Sequence, residues 1–185
     1  MNLVSLHQKT GRLALVTAST GFVVGLAFLN GGTSHAIGGL CNGRPASHTW
    51  LDASGQPGPT FFDGTNGDDV IVGSDGDDNI DAGPGDDWIC GGPGDDSLDG
   101  GDGDDVVIGG TGDDGPSGGP GNDTVVGGAG DDDPEGGPGH DFIVGGDGDD
   151  WIKSSDDDEV DKVNAGDGFD VCFFSAGDEL ANCEY

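Results

Sequence analysis

Gly91-Gly92-Pro93-Gly94-Asp95-Asp96-Ser97-Leu98-Asp99 is one nine-residue unit, and the chain repeats it without a gap. Nonads begin at Gly64, Gly73, Ala82, Gly91, Gly100, Gly109, Gly118, Gly127, Gly136 and Gly145, so residues 64–153 hold ten in one phase. Position four is glycine in all ten. Position six is aspartate in all ten: Asp69, Asp78, Asp87, Asp96, Asp105, Asp114, Asp123, Asp132, Asp141 and Asp150. Position eight is Ile71, Ile80, Ile89, Leu98, Val107, Pro116, Val125, Pro134, Ile143 and Ile152. Self-similarity at a short fixed period marks a stacked repeat architecture.

Each position has a physical reading. Glycine permits positive φ and close backbone approach in a tight turn. Residues seven to nine alternate faces as a short strand, so position eight points inward and its neighbours outward. The aspartate ends the turn, where its carboxylate meets glycine carbonyls. Carboxylate and carbonyl oxygens are the hard ligands that suit Ca²⁺.

The pattern resembles the haemolysin-type (RTX) repeat, G-G-x-G-x-D-x-U-x, where U is a large aliphatic residue. The resemblance implies an all-β fold, a right-handed parallel β-roll of two sheets with two nonads, 18 residues, per coil. It also implies calcium ions between turns of successive coils on the same edge. Ten turns give five per edge and four gaps, hence roughly eight ions. Pro116 and Pro134 depart from the pattern. They are neighbours in one sheet and lack the ladder N–H, so fraying is expected there.

The composition supports folding driven by cations. Glycine is 41 of 185 residues, and 37 acidic residues face 5 Lys plus Arg, a net charge of −32. Such a chain repels nucleic acid and anionic membranes. One thin inward file per sheet does not offset the ordering entropy of so much glycine. Extracellular calcium modules bind at on the order of 10⁻⁴–10⁻³ M. At about ten times Kd each ion adds ~1.4 kcal/mol, and eight add ~11 kcal/mol, comparable to the stability of an ordinary domain. The expectation is a chain that is disordered without calcium and folded with it.

Four regions follow. Residues 1–36 have a basic start (His7, Lys9, Arg12), an uncharged run from Leu13 to Leu29, and Ser34-His35-Ala36 as a small-x-small cleavage site. They read as a secretory signal cut after Ala36, with a retained anchor as the alternative and no membrane span after cleavage. Residues 37–63 are an N-terminal segment expected to pack on the roll. Residues 64–153 are the repeats. Residues 154–185 are expected to cap it, as solenoids require, and contain a partial nonad with Asp170 at the ligand position and Cys172 at position eight.

Cys41, Cys90, Cys172 and Cys183 form an even set in an exported chain, which suggests disulfides with three pairings open. Odd-numbered nonads have strands apolar on both faces, such as Val106-Val107-Ile108, while even-numbered ones are largely polar outside. A strand apolar on both faces is usually covered on both. Either residues 37–63, with Leu40, Trp50, Leu51, Phe61 and Phe62 and a Cys41–Cys90 staple, cover that face, or a second copy or partner does. Cys172–Cys183 would close a short loop in the cap.

No catalytic residue is assigned. Gly115-Pro116-Ser117-Gly118-Gly119 matches a hydrolase pattern but lies inside the repeat frame, without the strand-to-helix context that the chemistry needs. The expectation is an extracellular or cell-surface calcium-binding protein with a structural, matrix or adhesion role. The alternatives are a secretion or stability module of an extracellular enzyme system, or a calcium-dependent enzyme.

Overall fold

The computed structural model describes residues 61–154 and 159–184, and before them only the backbone of short strands. The expected signal, residues 1–36, lies outside the described residues apart from the backbone of Arg12–Leu13 and Phe28–Leu29, which pair antiparallel.

The repeats wind into a parallel β-roll. Residues 18 apart stand side by side: Ile71 pairs with Ile89, Ile89 with Val107, and Val107 with Val125. Odd-nonad strands build one sheet, in spatial order His48–Thr49, Val70–Val72, Trp88–Pro93, Val106–Thr111, Thr124–Ala129, Phe142–Asp147, Lys162–Asp167 and Glu179–Ala181. Even-nonad strands build the other. From Trp88–Pro93 to Lys162–Asp167, the strands of this sheet run six residues rather than the three that the repeat pattern implies, because the turn backbone also pairs coil to coil; Gly94 N–H donates to Thr111 O and Gly112 N–H to Ala129 O. Gly92 and Gly94, at φ 118° and 130°, take the left-handed backbone that this turn needs.

Position eight points inward throughout. Ile71, Ile89, Val107, Val125, Ile143 and Ile152 are fully buried, and Ile80 and Leu98 nearly so. Pro116 and Pro134 are buried as well. They divide the even sheet. Thr60–Asp63, Asp78–Asp81, Ser97–Asp99 and Gly115–Ser117 form one piece, Trp151–Lys153 and Val171–Phe173 another, and between them Glu135 bridges to Ser117 and Lys153 while Trp151 N–H donates to Asp132 O. The break follows from the missing N–H of each proline. Asp133 N–H still donates to Asp114 O, but Pro116 returns nothing to Asp133.

The roll begins before the first full nonad. Phe62, expected in the cover, is buried in register with Ile80 and heads the inward file of the even sheet. Phe61, beside it, is 70% exposed. The backbone of Leu40–Cys41 runs beside Val70–Val72 and Trp88–Pro93, on the odd sheet. Trp50, Leu51 and the Cys41 side chain lie outside the described residues. Cys90 is disulfide-bonded.

The roll also continues past Lys153. The register lengthens from 18 to 20 residues, pairing Phe142 with Lys162 and Ile152 with Cys172. The repeat therefore continues with Asp161 at position six and Val163 at position eight, both buried. The partial nonad with Asp170 and Cys172 completes that coil. Cys172 is bonded to Cys183.

Candidate metal centre

The position-six aspartates form two files, one on each turn edge. All are buried, from 0% exposed at Asp87, Asp150 and Asp170 to 5% at Asp69. From Asp87 and Asp96 on, each uses one carboxylate oxygen to tie its coil to the preceding one. Along one edge the N–H of Asp69 donates to Asp87 Oδ1, that of Asp87 to Asp105 and that of Asp105 to Asp123, each at 2.7 Å, and Asp123 and Asp141 continue to Asp161. Along the other, Asp78, Asp96, Asp114, Asp132, Asp150 and Asp170 do the same at 2.8–3.0 Å. Both files end on side chains outside the nonad frame: Asp161 N–H donates to Asp178 Oδ1 at 3.1 Å, and Asp170 N–H to Glu184 Oε2 at 2.8 Å.

The second oxygen is the chemically demanding one. In Asp87, Asp96, Asp105, Asp114, Asp123, Asp132, Asp150 and Asp170, Oδ2 is buried and meets no hydrogen-bond donor. Burying a carboxylate oxygen unpartnered costs several kcal/mol unless a cation or donor compensates it. These oxygens face main-chain carbonyls. A Cβ at Gly118 would stand 2.5 Å from Asp123 Oδ2 and 2.6 Å from Gly136 O in the next coil. At Gly109 the same distances are 2.5 Å to Asp114 Oδ2 and 2.6 Å to Gly127 O. The position-one glycine thus leaves a cradle where a carboxylate and a carbonyl of adjacent coils converge. Hard oxygen donors of both kinds fit Ca²⁺. Among the described residues no three Asp, Glu, His or Cys side chains meet at one point, so a cation here draws on the backbone as well.

The electrostatics agree. Burial pushes Asp114 and Asp123 up to about 7, and Asp96, Asp105 and Asp150 up to about 6. The N–H from the preceding coil pulls each back, and neighbouring aspartates add to the rise. Carboxylates held this far above their usual range are short of positive charge.

Exposed position-five files, one on each edge, run in the opposite sense, one of them from Asp77 through Asp95, Asp113 and Asp131 to Asp149. In the other, Asp68 accepts the N–H of Asp86, Asp86 that of Asp104, and Asp104 that of Asn122. At its end His140 pairs with Glu159 at 2.8 Å. Ser117, in the hydrolase-like pattern, lies in the three-residue strand Gly115–Ser117 of the even sheet.

The sequence placed Asp69 to Asp150 and Asp170 in these files; it missed Asp161, Asp178 and Glu184. Asp161 was legible, since it lies nine residues before Asp170 and opens Asp161-Lys162-Val163-Asn164, but Glu159 replaces the position-four glycine.

No curated protein matches the chain. A family model described as the RTX calcium-binding nonapeptide repeat matches it in four copies, over residues 63–98, 85–115, 117–133 and 135–172. These segments span more than half of a chain whose turns stack buried aspartates against glycine carbonyls, and the protein belongs to the RTX calcium-binding nonapeptide repeat family.

Proposed function

We propose that this protein is exported, folds on binding calcium through its position-six aspartates and turn carbonyls, and serves a structural role at the cell surface or in the matrix rather than a catalytic one. The observation that carries the reading is the file of buried Oδ2 atoms aimed at carbonyls of the next coil. Export is supported by the Cys172–Cys183 disulfide, a bond typical of oxidising compartments. Among the described residues no helix is long and apolar enough to cross a membrane. We assign partner contact to the outer odd face beyond the strands beside Leu40–Cys41. There Val106, Ile108, Val126 and Val144 are half-buried and Phe142 is 45% exposed.

Circular dichroism of the full chain in metal-free buffer and in millimolar calcium tests the central claim. A β-sheet signal that appears with calcium is expected. Identical spectra in the two buffers would end the reading.

A further inference from the structure

We propose that the first coil closes without a cation, with Thr65 and Ser74 standing where the ion would, so that the cation file begins one coil later than the repeats do. The inference rests on the calcium reading above and concerns where along the roll the ions lie.

Position two separates the first coil from the rest. In nonads three to ten it is glycine at positive φ, from 90° at Gly83 to 137° at Gly146. In nonads one and two it is Thr65 and Ser74. Both residues turn inward on their own aspartate. Thr65 N–H donates to Asp69 Oδ2 at 2.8 Å, and its hydroxyl lies 2.9 Å from the same oxygen and 3.2 Å from Gly67 O. Ser74 N–H donates to Asp78 Oδ2 at 2.6 Å, and its hydroxyl lies 3.2 Å from Asp78 Oδ1 and 3.3 Å from Gly76 O. A calcium ion in a turn of this kind neutralises a carboxylate and gathers carbonyl oxygens. Here an N–H and a hydroxyl occupy the same two kinds of oxygen. In the next coil Asp87 and Asp96 have no such donor on Oδ2. To admit a cation, the first coil must give up hydrogen bonds to a charged group, which the later coils never formed.

The far end compensates. Asp161 and Asp170 add one further coil to the two files, and Asp178 and Glu184 close them with protein acceptors. Four gaps on each edge still lie between Asp87 and Asp161 and between Asp96 and Asp170, so roughly eight ions are kept but moved one coil toward the C terminus.

Counting calcium on the full chain by elemental analysis and native mass spectrometry tests this. Asp69→Asn and Asp78→Asn should each leave the count unchanged. Asp96→Asn and Asp105→Asn should each lower it by one, and the Thr65→Gly/Ser74→Gly pair should raise it. Loss of an ion in Asp69→Asn or Asp78→Asn overturns the inference, as does an unchanged count in the glycine pair. Should either asparagine variant fail to fold in calcium, the glycine pair decides alone. A wild-type chain that binds no calcium overturns the calcium reading, and this inference with it. A loaded wild type with a lighter Asp69→Asn overturns this inference only.

Discussion

Asp105 accepts the backbone N–H of Asp87, one coil earlier, at 2.7 Å, and turns its other oxygen toward Gly118 O of the coil that follows. One carboxylate therefore serves both as a rung between coils and as a candidate ligand. The two roles separate by substitution. Asp105→Asn keeps a neutral acceptor for Asp87 and loses the charge. It should cost one ion, ~1.4 kcal/mol at about ten times Kd. Asp105→Ala also strands a buried N–H, adding about 1–3 kcal/mol. Thermal melting in fixed calcium should rank wild type above Asn above Ala. Equal melting of the two variants would remove the rung.

Acidity should act in opposite directions with and without calcium. An unfolded aspartate titrates near ~3.9, whereas Asp114 and Asp123 are pushed up to about 7 by burial in the roll. Between those values the folded chain holds more protons than the unfolded one, so stability falls as pH rises. This contribution is complete below about 4 and gone above about 7. In metal-free buffer the β-sheet signal should therefore be strongest in mild acid and fade toward pH 8. Calcium needs these carboxylates ionised, so its affinity should drop on going from pH 7.5 to 5.5, by about tenfold or more at such sites. Dichroism across pH in metal-free buffer and calcium titrations at both pH values check this. A metal-free signal that strengthens on alkalinisation would contradict the burial.

Much of this was legible because the repeat is strict. A fixed phase with glycine at four and aspartate at six defines the nonad, and the resemblance it carries implies the 18-residue coil that pairs Val107 with Val125. The prolines announced the break in the even sheet, since a missing N–H is written in the residue itself. Other features depended on geometry that no period carries. Thr65 and Ser74 stand where the other eight nonads have glycine, a departure the sequence displays, but only the contact of their hydroxyls with Asp69 and Asp78 gives them a role. Phe62 matched a cover as well as a core until the strand Thr60–Asp63 set it beside Ile80. Asp178 and Glu184 lie beyond the last nonad, where spacing offers no guide and chain direction alone brings them under Asp161 and Asp170.

The Cys172–Cys183 bond, across a separation of 11 residues, ties the last inward position of the even sheet to the tail that carries Glu184. Closing a loop of this size contributes about 3 kcal/mol in the chain-entropy account. Cys172→Ala/Cys183→Ala should loosen the final coil rather than the whole roll, because each coil contacts only its neighbours. Amide exchange at Val171–Phe173 should accelerate by about two orders of magnitude, with Val107 and Ile108 unchanged. Uniform acceleration along the roll would show instead that the cap sets global stability.

Pro116 and Pro134 each remove one N–H from the even-sheet ladder, whose remaining backbone links there run through the N–H groups of Asp133, Glu135, Trp151 and Lys153. Valine at each site would restore an N–H to the ladder, toward Asp133 O from residue 116 and toward Trp151 O from residue 134. A buried backbone hydrogen bond contributes about 0.5–1.5 kcal/mol, and a valine buried at position eight matches the aliphatic neighbours Leu98 and Ile152. Losing the ring's restraint on the unfolded chain works against this by about 0.4–1 kcal/mol. The hydrogen bond and the better packing together exceed that cost, so Pro116→Val/Pro134→Val should melt higher in calcium, by about 1 kcal/mol or more for the pair. The gain should also sharpen the calcium transition, since the two core clusters on either side of the prolines, Phe62 to Val107 and Val125 to Ala165, would then be linked through both sheets. A lower melting temperature would mean that the prolines fit a backbone which valine cannot follow.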